Sequence, residues 1–126
     1  MVSIFVGINE VWRRFDSDDP TSDEQYEADL RALIEPFTRT KLVLVEPFLL
    51  PKDEAQQSWS DELAGKIRVV RALAAEYGVP LVPLHATMNA AGTAADLAPD
   101  GVHPNAAGHQ LIADTWLAHA GGVVER

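Results

Sequence analysis

The sequence contains no cysteine, which excludes disulfide bonds, thiol nucleophiles and thiolate-bound metal ions within its 126 residues. Positive charge is also scarce, because 10 lysines and arginines stand against 19 acidic residues and give a net charge of −9. Nucleic acids and anionic membranes attract basic surfaces, so neither is an expected partner. No apolar run approaches the ~18 residues of a membrane span, and no signal peptide is evident at the first residues. We therefore expect a soluble, cytoplasmic protein.

Three short apolar runs alternate with segments of helical periodicity, and no repeat or linker divides them. The apolar runs predict strands at residues 2–6, 41–46 and 79–84, the last an edge or short strand because it contains Pro80 and Pro83. The helical periodicity predicts helices at residues 24–37, 59–77 and 105 to about 117, with loops at 16–24 and 47–57 and a loose tail at 121–126. Ser22 or Asp23 is expected to cap the first of these helices, Pro36 to limit it and Gly78 to end the second. Strands that alternate with helices form parallel sheets, so the sequence predicts one α/β domain over residues 1–126.

The stretch Asp100-Gly101-Val102-His103-Pro104 leads into the last predicted helix. A carboxylate and an imidazole this close on a turn can face each other, so that the carboxylate orients the ring and the other ring nitrogen accepts a proton. Pro104 suits a first helical position, because its φ is fixed and it has no N–H. The same residues also fit a plain turn before a helix, with His103 as a capping or surface side chain. Both interpretations are open at this point.

A second polar side chain follows the first predicted strand, in Gly7-Ile8-Asn9-Glu10. Asn9 would lie at the carboxyl end of that strand, where its amide can donate to a developing oxyanion. The plainer interpretation is that Gly7 ends the strand and Asn9 begins a turn. An amide donor and a carboxylate–imidazole pair at one edge of a sheet favour acyl transfer. The loop after the second strand offers either an acyl pocket or simple packing through Phe48, Leu49 and Leu50.

The two motifs resemble two sequence blocks of the SGNH or GDSL hydrolases, in the same order along the chain, and residues 12–13, 46–48 and 105–109 resemble this family too. The resemblance implies a three-layer α/β/α, flavodoxin-like fold with a parallel sheet. It implies that His103 is the general base, that Asp100 orients it and that Asn9 is an oxyanion-hole donor. The implied substrate is a small short-acyl or acetyl ester, esters on carbohydrates included, and no cofactor is expected.

The chain departs from the family pattern in two places. Glu10 stands where the family usually has Asp, a difference of one methylene that leaves Asn9 in place. The family's nucleophile is the serine of a Gly-Asp-Ser block after its first strand, and neither that block nor the following glycine block is found in these residues. The serines that are present lie outside such a context, at positions 3, 17, 22, 58 and 60. The resemblance therefore describes the carboxyl-terminal part of such a hydrolase, without its first strands.

Three functions are open on this basis: the carboxyl-terminal part of an esterase, a non-catalytic binding or assembly module that keeps the fold, and a metal site. The available metal ligands are nearby acids and the four histidines, His85, His103, His109 and His119. Only His103 and His109 are close in sequence, and their spacing matches no zinc motif. A phosphate site is not expected, because no glycine-rich loop joins a strand to a helix.

Without the family's first strands, the run at residues 2–6 would form an edge of the sheet. This run contains neither proline nor lysine, the residues that commonly protect an edge against pairing. An exposed apolar surface of several hundred Å² is also unusual for a soluble monomer. We therefore expect a homo-oligomer that assembles through this strand. The alternative is that the loop at residues 16–25 or the C-terminal tail folds over the edge.

Overall fold

The computed structural model describes residues 1–124, and within that range it contains three short strands and seven α-helices. The strands are β1 (Val2–Ile4), β2 (Leu42–Val45) and β3 (Leu81–Val82). The longer helices are α1 (Ile8–Asp16), α2 (Asp23–Ile34), α4 (Ser60–Tyr77), α5 (Leu84–Ala91) and α7 (Ala106–Val124). The single-turn helices α3 (Glu54–Gln57) and α6 (Ala94–Leu97) and a 3₁₀ turn at Glu35–Phe37 complete the described elements. None of the helices in this range is long and apolar enough to cross a membrane.

The sheet has the order β1-β2-β3, and all its strands are parallel. Val2 of β1 lies opposite Leu42 of β2, and Leu44 of β2 lies opposite Leu81 of β3. Parallel neighbours need a crossover connection, which helices supply here in both cases. Because β3 is last in the strand order, it lies at an edge of the described sheet, as Pro80 and Pro83 predicted.

Alternate side chains of β2 point to opposite faces of the sheet and are buried on both. Leu42 and Leu44 pack with α2 and α4, whereas Val43 and Val45 pack with α5, α6 and α7. Leu44 and Val43 are both 0% exposed, so neither face of this strand contacts solvent. Helices therefore cover both faces of the sheet, which confirms the predicted three-layer α/β/α architecture.

Three predicted signals at helix ends are found in place. Ser22 caps α2, since its hydroxyl oxygen accepts a hydrogen bond from the backbone N–H of Gln25 at 3.0 Å. Pro36 lies in the 3₁₀ turn that follows this helix, where its missing N–H ends the regular hydrogen-bond pattern. Gly78 ends α4 in the left-handed conformation, with φ 65°.

Several boundaries differ from the sequence predictions. All three strands are shorter than the apolar runs at 2–6, 41–46 and 79–84, because only some residues of each run pair with a neighbouring strand. Four helices were not predicted: α1, α3, α5 and α6. α3 and α6 are single turns, too short for a period to be recognised, and α5 begins within the third apolar run at Leu84.

The C-terminal segment differs as well. α7 extends to Val124, so the loose tail predicted for residues 121–126 is wrong for 121–124, and residues 125 and 126 lie outside the described chain. Ala120 and Val123 are buried in the core, and this packing outweighs the low helix propensity of the adjacent glycines. The prediction of Pro104 as the first helical residue is also wrong. α7 begins at Ala106, and the Asn105 side chain caps it by accepting from the N–H of Gly108 at 2.9 Å.

A buried lysine ties α4 to the segment that precedes α2. The Lys66 side chain is only 1% exposed, and its ammonium donates to the Thr21 carbonyl at 2.7 Å and to the Asp23 carboxylate at 2.8 Å. The adjacent Gly65 leaves room for Asp23, because a Cβ at this position would lie 2.3 Å from the carboxylate oxygen. Only Lys66 is buried, whereas the Asp23 side chain is 44% exposed, so losing this pair should cost less than the ~3–5 kcal/mol of a fully buried one.

Gly65→Ala is expected to lower the free energy of unfolding by about 2–4 kcal/mol, because the new methyl group displaces Asp23 from Lys66. Gly121→Ala is the matched helical control, since a Cβ there meets no atom within 4 Å. The better helix propensity of alanine should raise stability at that position by up to about 1 kcal/mol. Urea unfolding followed by circular dichroism measures both changes. A Gly65→Ala variant as stable as the wild type would contradict the importance of this contact.

Candidate active site

A cleft of about 220 Å³ opens where the chain leaves the carboxyl ends of β1 and β2. Its lining comes from residues 5–9 with Trp12, from residues 47–48 and from residues 102–104. Ligands of parallel α/β sheets bind beyond the carboxyl ends of the strands. The cleft is therefore in the position where a functional site is expected.

Asp100 and His103 are hydrogen-bonded to each other beside this cleft. Nδ1 of the His103 ring lies 2.5 Å from Oδ2 of Asp100. Oδ1 of Asp100 accepts the backbone N–H groups of Val102 at 2.9 Å and of His103 at 2.7 Å. The carboxylate thus fixes both the turn and the ring, and Nε2 of the imidazole lies on the side away from it. This is the geometry that a general base and its orienting carboxylate require.

These hydrogen bonds make Asp100 more acidic. Partial burial alone would raise the pKa of Asp100, but the hydrogen bonds from the N–H groups of His103 and Val102 and from the His103 ring outweigh it and lower the pKa to about 2. Asp100 is therefore ionised wherever an imidazole titrates. An ionised carboxylate at Nδ1 holds a neutral ring in the tautomer with its proton on that atom, and Nε2 is then able to accept a proton.

Asn9 lies in the first turn of α1, and it lines the same cleft as His103. Gly7 permits the sharp passage from β1 to α1, because it has φ 139° and a Cβ there would lie 2.9 Å from both Pro47 and Tyr26. The Tyr26 hydroxyl also donates to the Val6 carbonyl at 2.7 Å, a supporting contact that the helical pattern of the sequence did not indicate. The structure therefore brings Asn9 and the Asp100–His103 pair to the same end of the sheet. Their catalytic roles stay predictions.

Aromatic rings form the apolar wall of the cleft. Phe5 and Phe48 stack with 6.2 Å between their ring centroids. The Trp12 ring lies edge-on to the His103 imidazole at 6.1 Å and contacts the Trp59 ring on α4's amino-terminal side at 6.0 Å. Trp12 thus lies beside the largely exposed imidazole, a contact that the sequence did not reveal because α1 was not predicted.

Only one of the three residues considered for an acyl pocket reaches the cleft. Phe48 lines it, whereas Leu49 and Leu50 are packed in the core. The Leu49 peptide is held by α5, since its N–H donates to Nδ1 of His85 at 3.2 Å and its carbonyl accepts from Asn89 at 3.0 Å. Packing under the loop is therefore what Leu49 and Leu50 provide.

Three of the histidines considered as metal ligands, His85, His103 and His119, have other hydrogen-bond partners. Within residues 1–124, no three His, Cys, Asp or Glu side chains are grouped so that they could hold a metal ion. Burial lowers the pKa of His85, although the nearby Glu46 carboxylate opposes this shift. Nδ1 of His119 lies 3.0 Å from the carbonyl of Thr115 within α7.

No serine contributes to the cleft in the part of the chain that the structure describes. The Ser3 hydroxyl accepts from the Trp116 indole at 3.2 Å, and the Ser58 hydroxyl donates to the Ala55 carbonyl at 2.6 Å. Ser17 and Ser22 lie at the ends of helices, and Ser60 begins α4. The described site thus holds an imidazole, a carboxylate and an amide, with no serine beside them.

Comparison with known proteins identifies the family. The profile of the GDSL-like Lipase/Acylhydrolase family matches residues 1–111. The chain belongs to this family. An acetylxylan esterase from Geobacillus stearothermophilus is 33% identical over 130 aligned positions, which cover 95% of this chain and 58% of that protein.

Solved structures agree with this membership of the GDSL-like family. The crystal structure of the acetylxylan esterase Axe2 from Geobacillus stearothermophilus has a TM-score of 0.81 at 32% identity and covers 93% of this chain. A GDSL-like lipase candidate from Parabacteroides merdae has a TM-score of 0.85 at 31% identity and covers 96% of it. The chain spans only 57% and 59% of these two chains, respectively. The family resemblance and the fold expected from the sequence are both confirmed.

Asp100→Asn is expected to remove an acid-sensitive part of the stability. The folded-state pKa of about 2 lies below the ordinary value of 3.8, so ionised Asp100 stabilises the fold above pH 3.8 and this contribution is lost as the pH falls through about 2. The Asp100 side chain is 42% exposed, and solvent screening should limit the effect to about 1 kcal/mol. Urea unfolding at about pH 5 and about pH 2.5 should therefore show a smaller difference between wild type and variant at the lower pH. A difference that does not change with pH would contradict the role of the ionised carboxylate.

Proposed function

We propose that the chain supplies the base, its orienting carboxylate and one oxyanion donor to a GDSL-type ester hydrolase. The nucleophilic serine comes from a further part of the protein that this chain does not contain. The observation that carries the proposal is the 2.5 Å contact between His103 Nδ1 and Asp100 Oδ2, on a cleft that Asn9 also lines. An imidazole oriented in this way gains its function when a hydroxyl lies next to Nε2.

The proposed reaction is acyl transfer to serine and then to water. Nε2 of His103 removes the serine proton as the oxygen attacks the ester carbonyl, and Asp100 stabilises the imidazolium that forms. The Asn9 amide donates to the oxyanion of the tetrahedral intermediate. Nε2 then returns the proton to the departing alcohol, and the same steps with water release the acid and restore the serine.

The cleft suits a small acyl group. The described chain contributes a cleft of about 220 Å³ to the proposed site. Phe5 and Phe48 give one wall an apolar surface that an acetyl methyl group can contact. The relative from Geobacillus stearothermophilus is an acetylxylan esterase, and we extend its substrate class, an acetyl ester on a carbohydrate, to the complete protein. A cytoplasmic location stays a prediction from the sequence.

The isolated chain is expected to hydrolyse p-nitrophenyl acetate little faster than buffer, because it offers His103 no nucleophile to activate. Joining it to the part of the Geobacillus relative that it does not match should restore turnover. In that fusion protein, His103→Ala should lower kcat by about 10³-fold or more. Asn9→Ala should lower it by about 10²–10³-fold, the usual loss when one oxyanion donor is removed.

His109→Ala in the same fusion protein is the matched control, since His109 lies on the exposed start of α7 and outside the cleft lining. It should retain the activity of the parent fusion. The proposal would be refuted if the isolated chain hydrolysed the ester and His103→Ala abolished this activity. A folded fusion protein without activity would also refute it and would favour the non-catalytic module.

We further propose that the isolated chain associates with itself through β1. In the described residues no strand pairs with the outer side of β1, which leaves its backbone groups available. Phe5 and Val6, which follow β1, remain 43% and 38% exposed, so the described residues leave part of their apolar surface uncovered. Burying such apolar surface contributes about 25 cal/mol per Å², which favours a second copy as the partner.

Phe5→Lys is expected to shift the isolated chain from dimer to monomer, because it places a charge on the proposed contact. Leu33→Lys is the matched control, since Leu33 on α2 is similarly exposed, 47% against 43%, and lies outside this patch. Sedimentation velocity at micromolar concentration measures both. A wild-type chain that sediments as a monomer, or equal effects of the two substitutions, would refute association through β1.

A further inference from the structure

The loop that carries Asp100 and His103 rests on a segment from a different part of the chain. The backbone N–H of Leu50, just beyond β2, donates to the carbonyl of Gly101 at 3.0 Å. A few residues further on, the side-chain amide of Gln56 in α3 donates to the carbonyl of Asp100 at 2.7 Å. Two consecutive carbonyls of the catalytic loop are therefore held by the segment between residues 50 and 56.

Gln56 is suited to hold this loop because its backbone N–H and both polar atoms of its side-chain amide make hydrogen bonds. Its side chain is buried, with the residue only 4% exposed. Oε1 accepts a hydrogen bond from the backbone N–H of Lys52 at 3.0 Å, and Nε2 donates to the Asp100 carbonyl. These two partners fix the orientation of the side-chain amide. Its own N–H donates to Oδ1 of Asp53, which caps α3, at 2.9 Å.

Gly101 provides an independent sign of this contact. It has φ 90°, a conformation that disfavours any residue with a Cβ. A Cβ at this position would lie 2.1 Å from Oε1 of Gln56. The backbone of the catalytic loop therefore lies directly against the glutamine amide, with no space for a side chain between them.

We infer that Gln56 is a positioning residue, which holds the Asp100 carbonyl and thereby keeps the Asp100–His103 pair aligned toward the cleft. The inference rests on the proposed function, because a positioning role in catalysis requires that Asp100 and His103 act in the reaction. The amide acts on the backbone of Asp100, whereas the carboxylate acts on the ring, so the two contacts restrain the same residue from opposite ends. Without the amide, the turn gains freedom and water competes for the carboxylate oxygens.

The test is a comparison of Gln56→Met with Gln57→Met in the isolated chain. Gln57 is the exposed neighbour in α3, so the same substitution there leaves the contact intact. In Gln56→Met, the pKa of the Asp100 carboxyl, followed by ¹³C NMR, is expected to rise from about 2 toward 3.8. The Nδ1–H proton signal of His103 at neutral pH should broaden through faster exchange with water. Gln57→Met should change neither signal.

Gln56→Glu is the second variant. When ionised, its carboxylate keeps the volume and the acceptor for Lys52 but has no proton to donate to Asp100, so the signals are compared above the pH at which this buried carboxyl titrates. The added negative charge favours retention of the His103 proton, so broadening of its signal can be attributed to the lost hydrogen bond. Folded variants at residue 56 that keep both signals unchanged would overturn the inference. Unfolding of both variants would also overturn it, because Gln56 would then be needed for the fold as a whole.

These measurements do not depend on esterase activity. An inactive fusion protein together with a raised Asp100 pKa in Gln56→Met would refute the proposed function and keep the positioning role. An active fusion protein together with an unchanged Asp100 pKa would refute the positioning role and keep the proposed function. In an active fusion protein, Gln56→Met should lower kcat more than it changes KM, because loop alignment matters for proton transfer rather than for ester binding.

Discussion

The burial of β2 on both faces is the constraint on which the rest of the structure depends. Each buried valine or leucine of this strand contributes about 1.5–3 kcal/mol, and the two sets of side chains bring separate helical layers to one sheet. The burial continues past the end of the strand, because all residues from Leu42 to Leu50 are buried. The chain therefore leaves the sheet as a buried segment, which lines the cleft through Pro47 and Phe48 and supports the loop that carries Asp100 and His103 through Leu50.

The candidate site combines a local arrangement with contacts between distant parts of the chain. Asp100 and His103 are three residues apart, and the carboxylate itself accepts two N–H groups of the turn, so their geometry is set within one loop. The direction of that loop depends on Leu50 and Gln56, which precede it by more than forty residues. Asn9 reaches the same cleft from the other end of the chain, through the turn at Gly7. A hydrolytic site needs both the local pair and the distant contacts, since a well-formed pair that points elsewhere cannot reach an ester.

The sequence predicted those features that depend on neighbouring residues. The uninterrupted apolar run around β2, the cap at Ser22, the stop at Gly78 and the Asp100–His103 spacing are local signals, and each is found in the structure. α1 was missed because Gly7 and Asn9 resemble a turn, whereas the segment is helical in the structure and buries Val11 in the core. The two glycines near the end of α7 suggested a loose tail, but packing of Val123 outweighs their propensity. Gln56 gave no signal, because its partner Asp100 is adjacent only in the folded chain.

The position of the nucleophile is the central claim, and covalent labelling with a fluorophosphonate tests it most directly. The reagent would be applied to the isolated chain and to the fusion with the remaining part of the Geobacillus relative, and the labelled residue would be located by mass spectrometry. The account predicts no adduct on the isolated chain, and in the fusion an adduct on a serine of the added part that disappears with His103→Ala. An adduct on one of the chain's own serines that depends on His103 would contradict it.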